Sequence, residues 1–374
     1  MRVTQTGDNT TTQIDSAHKP IGSLSHMRAG VYRGKGRVVV ESVPVPEIGE
    51  GEVLCRVAVC GICGTDIKKI EHGYVAPPQI LGHELAGTVV QVGACVKKFR
   101  AGDRVMSFHH VPCGACFYCE RKLFSQCAGY KKTGLTAGFD PNGGGFAEYV
   151  RAMPWVVERG MIALPPDVTF EDATFIEPVN TCLKAVRKAR VEPGETVLVI
   201  GQGPIGMLLM LLAKYEGAEV FTSDPMPGRR AASLRFGAAE SFDPKSANLV
   251  DEMRRRTSER GADAVLVAVS NPSLVHEALA IARPGGRVLL FAHNDPVTRL
   301  EFAAASVGVE EKEILGSYSA SADDQEESAA LVFERRLPIR EMISHRFPLE
   351  RIADALELAA RPLDGTLKVV ITHQ

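Results

Sequence analysis

The sequence lacks any run of 18 apolar residues, which excludes a membrane-spanning helix. Its first 26 residues are polar, rich in Thr and Ser, and carry no apolar stretch, so no secretory leader is expected there. Residues 1–26 read as a disordered extension or a tag, with Met27 as the native start, and a cytoplasmic location is expected. Neither charge is in surplus: 43 Lys and Arg stand against 45 Asp and Glu. A nucleic acid or an anionic membrane is therefore excluded as the main partner. The one basic run, Arg254-Arg255-Arg256, reads as a solvated helix face. No internal repeat is present. An odd number of cysteines, nine, argues against a disulfide framework.

What is present is a chain of 374 residues, 45% hydrophobic, with 35 Gly and 22 Pro. That suits two domains with sizeable cores and many turns. The first half holds short β-rich runs, Val31–Val40, Val53–Val59, Leu85–Val92 and Arg104–Phe108, separated by glycine turns. Such strands predict a small, partly open barrel. Val53, Cys55, Val57 and Val59 alternate with Leu54, Arg56 and Ala58, so Cys55 reads as a wall residue. Thr169 with Asp172 three residues on predicts a helix cap. From there strands and helices alternate: Thr196–Ile200, then a helix from Pro204, then Glu219–Thr222, Val265–Val269 and Val288–Ala292. This βαβ series predicts a doubly wound parallel sheet, and the chain is of the α/β class.

Three constellations carry chemistry. Cys63 opens and His83-Glu84 closes a Gly- and Pro-punctuated stretch, and thiolate with imidazole suits zinc. Alone, one Cys and one His do not make a site, and a buried thiol with a turn histidine is the better explanation of the pair. Cys113, Cys116, Cys119 and Cys127 form C-x2-C-x2-C-x7-C, which can close a tetrahedral zinc site with no open position. Gly201, Gly203 and Gly206 form G-x-G-x-x-G between a strand and a helix that begins Pro204-Ile205. The glycines permit a tight turn, close approach of pyrophosphate and helix–strand packing, with phosphate at the helix N-terminus. Asp224 ends the next strand, where an acid accepts from both ribose hydroxyls and repels a 2′-phosphate. That favours NAD over NADP. Arg229 and Arg230 pull the other way.

C-G-T-D, G-H-E, the four cysteines, Glu177-Pro178 and G-Q-G-P-I-G with Asp224, in that order, resemble the zinc-dependent medium-chain dehydrogenase/reductase family. The resemblance runs from about Met27 to the C-terminus and is strongest to its sorbitol or L-iditol 2-dehydrogenase-like branch. It implies a GroES-like catalytic domain over 27–179 and 319–374, with a zinc lobe near 109–130, interrupted by a Rossmann domain over 180–318. It implies two Zn²⁺ per chain: a catalytic ion on Cys63, His83 and Glu177, with Glu84 beside or on the metal, and a structural ion on the four cysteines. NAD would lie on Gly201, Gly203, Pro204, Ile205, Gly206, Asp224 and Arg229. Thr65 would take the proton of a small-molecule secondary alcohol as hydride leaves for the nicotinamide. Dimers or tetramers are expected.

The chain departs from many sorbitol and threonine dehydrogenases in two places. Lys68, followed by Lys69, replaces a histidine five residues after the ligand cysteine. An Arg-Tyr pair is missing at Ser319-Ala320. The two lysines read either as solvent-facing or as favouring an anionic substrate. His109 and His110 read as structural. An L-threonine 3-dehydrogenase-like or sugar-phosphate dehydrogenase, and a non-catalytic NAD-binding sensor, remain as alternatives.

Overall fold

The computed structural model describes residues 25–130, 132, 134–136, 143–292 and 297–373. The expected extension therefore falls almost wholly outside the described residues. The first strand begins at His26, five residues before Val31. The run Val31–Val40 is not one strand. It is a hairpin of His26–Gly34 and Arg37–Pro44, folded back at Gly34 and Gly36, both at positive φ. Two closely spaced glycines admit the left-handed turn that breaks a continuous β-rich run.

The barrel strands form an eight-stranded sheet in the order Ile343–Pro348, Lys368–Thr372, Val53–Gly61, Glu84–Val92, Arg104–Ser107, Met161–Ala163. Tyr149–Ala152 also pairs with Val53–Gly61 and carries Leu135–Thr136. Val53–Gly61 is thus the hub of the sheet, and its neighbours come from both ends of the chain. Burial follows: Val53, Cys55 and Val57 are enclosed as their spacing predicts, and so is Leu54 on the other face. Burial pushes the Cys55 thiol up to about 12, as befits an inert wall residue.

Six strands form a second sheet, every pair parallel: Glu240–Phe242, Glu219–Ser223, Thr196–Ile200, Ala262–Val267, Ala282–Leu290, Glu313–Gly316. In chain order this is 3-2-1-4-5-6, the Rossmann order, with the nucleotide crevice expected at the C-terminal end of Thr196–Ile200. The first and last of these strands are three and four residues long. They are too short to show a period, so sequence reading passed over them.

Thr169 caps the helix Phe170–Ala173 as predicted: its Oγ1 accepts from Asp172 N at 3.1 Å, and Asp172 Oδ2 accepts from Thr169 N at 3.4 Å. The helix Ile176–Lys188 follows. Val179, Leu183 and Val186 are fully enclosed between barrel residues such as Val59 and Met106 and Rossmann residues such as Val197 and Leu209. Each such aliphatic side chain contributes about 1.5–3 kcal/mol of burial. One apolar core therefore runs through both sheets, and the first turn of this helix is held against the barrel.

Candidate active site

The site is assembled where three strands end together. Gly61 pairs with Glu84 on one side and Val370 on the other. Two residues past Gly61, Cys63 caps the helix Gly64–His72. The ligand atoms of Cys63, His83 and Glu84 all lie within 4.8 Å of one another. Four ligands at 2.0–2.3 Å from a shared ion have separations of this size, and thiolate, imidazole and carboxylate suit zinc. The donors present fit the metal that the motifs imply.

Asp66 holds this corner. It is fully buried, and its Oδ2 accepts from Cys63 N at 3.2 Å, closing a capping box. Its Oδ1 is 3.2 Å from His83 Nδ1 and 3.4 Å from Gly82 N. One carboxylate thus sets the Cys63 backbone and turns the His83 ring so that Nε2 remains for a ligand role. Burial works against a charged His83, but Asp66 and Cys63 outweigh it and raise its pKa well above the usual imidazole range.

Glu84 is also committed. Its Oε2 is ion-paired with Lys368 Nζ, which donates to Ile62 O at 3.1 Å. A Cβ on Gly61 would stand 2.2 Å from Glu84 Oε2, so only glycine leaves room for the pair.

Glu177 is not drawn into the 4.8 Å group. It sits buried in the first turn of Ile176–Lys188. Burial pushes its carboxyl up to about 7, with His83 opposing and Glu84 adding. It therefore feels the same charges without sharing their contact. Thr65 is half-buried in the first turn of its helix. Lys68 and Lys69 are half-buried rather than solvent-facing. Burial lowers Lys68, with Cys63 opposing.

The sulfurs of Cys113, Cys116, Cys119 and Cys127 also lie within 4.8 Å of one another. Cys116–Cys119 is 3.6 Å and Cys113–Cys119 is 3.9 Å. Separations of this size fit the edges of a tetrahedron with Zn–S distances near 2.3 Å, and they exclude disulfides near 2.05 Å. Tyr130, after the fourth cysteine, locks the lobe down: its hydroxyl meets Ser319 Oγ at 2.9 Å and accepts from Ala320 N at 3.1 Å. Ser319 and Ala320, where the resemblance expects an Arg-Tyr pair, thus serve as the seat of the lobe.

At the glycine turn, Gly201 has φ +90°, and a Cβ on Gly206 would lie 1.7 Å from Gly201 O. Gly203 is open: the nearest atom to its Cβ position is an Arg229 guanidinium nitrogen at 3.8 Å. Pro204 begins the helix Pro204–Tyr215, with Ile205 half-buried behind it. Asp224 is buried and accepts from Gln202 N at 2.7 Å and Met226 N at 2.8 Å. Arg229 lies 3.9 Å from Asp224 and donates to Thr366 O at 3.2 Å. Arg230 donates to Asp224 O at 2.8 Å and lies 3.4 Å from Asp243. The turn leaves open backbone at Gly203, and Asp224, Arg229 and Arg230 are all engaged with protein atoms around it.

Residues 49–163 match the family model described as alcohol dehydrogenase GroES-like domain, and residues 204–334 match zinc-binding dehydrogenase. The uncharacterised zinc-type alcohol dehydrogenase-like protein YphC of Escherichia coli (strain K12) is 32% identical over 361 residues, spanning 93% of this chain and 99% of that one. The chain belongs to the zinc-dependent medium-chain alcohol dehydrogenase family. Sorbitol dehydrogenase of Bacillus subtilis (strain 168), 28% identical over 92% of this chain and 97% of its own, marks the sorbitol dehydrogenase-like branch. A protein of Sinorhizobium meliloti 1021, solved bound to NADP, superposes with a TM-score of 0.84 at 28% identity, over 93% of this chain and 99% of that one.

Two residues in contact with the Cys63, His83 and Glu84 corner of this dehydrogenase, Asp66 and Lys368, were missed by sequence reading. Asp66 had a local signal: it stands three residues after the helix cap, the capping-box position. Lys368 had none, since 284 residues separate it from Glu84. Among the described residues no helix is long and apolar enough to cross a membrane.

Proposed function

We propose that this dehydrogenase oxidises a secondary alcohol of a polyol or sugar-derived substrate and passes the hydride to NAD, using two zinc ions per chain. The observation that carries the reading is the convergence of Cys63, His83 and Glu84 within 4.8 Å. Glu177 is assigned as the further ligand, which its burial and its electrostatic coupling to His83 and Glu84 support. The metal supplies a Lewis acid for the alcohol oxygen, and the nicotinamide supplies the hydride acceptor.

The chain's own residues supply orientation and proton transfer. Asp66 fixes the His83 ring through Nδ1. Lys368 anchors Glu84 by one oxygen and leaves the other for the site. Thr65, two residues past Cys63, receives the hydroxyl proton. Asp224 accepts from the ribose, and the engagement of Arg229 and Arg230 with protein oxygens favours NAD over NADP. The same reading assigns 27–179 and 319–374 to the catalytic domain and 180–318 to the nucleotide domain. The return of Lys368–Thr372 to the barrel sheet supports that division.

The test is NAD reduction over a panel of polyols, sugars and amino alcohols, with metal analysis of the wild type and Cys63→Ala. Polyol turnover with two zinc per chain, falling to one in Cys63→Ala, is expected. Turnover of L-threonine alone would transfer the reading to an amino-alcohol dehydrogenase. Tight NAD binding with no turnover of any panel member would leave the sensor.

A further inference from the structure

We infer that Asp364 is a specificity-determining residue for the cofactor: its carboxylate, carried to the nucleotide turn from the other sheet, opposes a 2′-phosphate and so favours NAD over NADP. This rests on the NAD reading above and adds a second acid to it.

Asp364 lies on the turn that leads into Lys368–Thr372, a strand of the barrel sheet. The turn is tight: Thr366 N donates to Leu363 O at 3.0 Å, and Gly365 between them has φ +81°. It docks on the start of the helix Pro227–Arg235, just past Asp224 in the chain. Two contacts hold it there. Gly228 N donates to Asp364 Oδ1 at 2.7 Å, and Arg229 Nε donates to Thr366 O at 3.2 Å. A Cβ on Gly228 would stand 2.7 Å from Asp364 Oδ1 and 2.8 Å from Gly365 N, so glycine admits the turn this close.

A 2′-phosphate draws on two things near the ribose acid: the first N–H groups of a helix and a nearby guanidinium. Asp364 acts on both. It occupies Gly228 N in the first turn, and its charge joins that of Asp224 in acting on Arg229, whose Nη1 is 3.9 Å from Asp224 Oδ2. Arg230 is held by Asp224 O and by Asp243. The side chains gathered at this helix start thus carry three carboxylates, Asp224, Asp243 and Asp364, against two guanidinium groups, Arg229 and Arg230. A ribose with free hydroxyls suits that surplus, because hydroxyls donate to carboxylates. A phosphate brings only acceptors and negative charge, and meets repulsion. Asp364 is exposed, so its part of the repulsion is open to screening by salt. It stands 136 residues from Gly228 in the chain, and only the return of the C-terminal strand to the barrel brings it here.

The experiment titrates the full chain calorimetrically with ADP-ribose and with ADP-ribose carrying a 2′-phosphate on its adenosine. Three proteins are compared: the wild type, Asp364→Asn, which keeps an oxygen for Gly228 N and loses the charge, and Asp364→Ala, which loses both. In Asp364→Asn the affinity for ADP-ribose should hold, while that for the 2′-phosphate form should rise by about three- to tenfold at low salt. The gain should shrink at about 1 M salt, where the screening length is about 3 Å. Asp364→Ala should show the same relative gain for the phosphorylated ligand, whatever it loses in both affinities by loosening the turn. A ratio of the two affinities unchanged in Asp364→Asn would overturn the inference. So would equal weakening of both ligands in Asp364→Ala with Asp364→Asn behaving as the wild type, since the residue would then only dock the turn. A gain undiminished at high salt would overturn it as well. A wild type that prefers the 2′-phosphate form would count against the NAD reading. The inference would still be decided by Asp364→Asn: a further gain upholds it and no gain overturns it.

Discussion

Lys368 and Glu84 form an ion pair with side chains only 3% and 1% exposed, beneath Cys63 and next to His83. Glu84 starts one strand and Lys368 starts another, and both strands flank Val53–Gly61. Despite burial, Lys368 is raised above the usual lysine range, first by Glu84 and then by Cys63. The pair is the floor of the candidate metal corner.

Removing one partner of a buried pair leaves the other charge uncompensated. Lys368→Met should therefore destabilise the protein by about 3–5 kcal/mol. Urea unfolding measures this. The double variant Lys368→Met, Glu84→Gln should recover much of the loss, since no buried charge is stranded. A double variant as unstable as the single one would show that the lysine acts by packing.

The glycine turn separates steric need from ligand need. Gly206→Ala drives a Cβ into Gly201 O and should cost stability by about 1–3 kcal/mol as well as cofactor binding. Gly203→Ala meets nothing closer than 3.8 Å and should fold normally, losing NADH affinity alone. Thermal melts and NADH fluorescence titration distinguish the two.

In the four-cysteine lobe, Cys116→Ser should lower zinc from two per chain to one. The melting temperature should fall with it, because the lobe is seated on Ser319 and Ala320 through Tyr130. Metal analysis by mass spectrometry with a parallel melt checks both. Two zinc ions retained in the variant would remove the structural site.

Asp224→Ala removes the acid expected at the adenosine ribose. The ratio of kcat/KM for NAD to that for NADP should fall by about ten- to a hundredfold, on the scale of one charge-assisted hydrogen bond. An unchanged ratio would detach Asp224 from the ribose.

Lys184 gives a pH signature. Burial, aided by Lys188, lowers its pKa to about 8, although its ammonium donates to Tyr318 O at 2.8 Å. The unfolded chain then binds more protons than the folded one between about pH 8 and the ordinary lysine value near 10.4. Stability contributed by this group should rise across that window as pH rises. Comparing melts of the wild type and Lys184→Met from pH 7.5 to 10 isolates it: the upward component should be missing in the variant.

Local features were legible where their cause is local. Gly201, Gly203 and Gly206 announce a turn because backbone geometry there tolerates little else. Thr169 and Asp172 announce a cap because the two side chains satisfy each other's backbone N–H. The four cysteines announce metal because their spacing alone brings the sulfurs together. The split of Val31–Val40 into a hairpin also had a local signal, Gly34 and Gly36, which reading the stretch as one β-rich run passed over. The placement of Lys68 and Lys69 was hidden because a lysine on an amphipathic helix has the same pattern whether it snorkels outward or faces a cleft.

The sequence by itself determined the glycine turn, the sulfur cluster and the alternation of strands and helices behind the parallel sheet, since each follows from spacing within a few dozen residues, while Cys63, His83, Glu84 and Glu177 became candidates through the family resemblance. Only the tertiary structure decided what surrounds that set. Asp66 behind His83 and Lys368 under Glu84 are there because the hub strand Val53–Gly61 pairs on both edges. Glu177 remains outside the immediate contact because its helix is fixed by a core shared with the other sheet. Those are consequences of which strands lie side by side, and strand order is set by packing the whole chain at once.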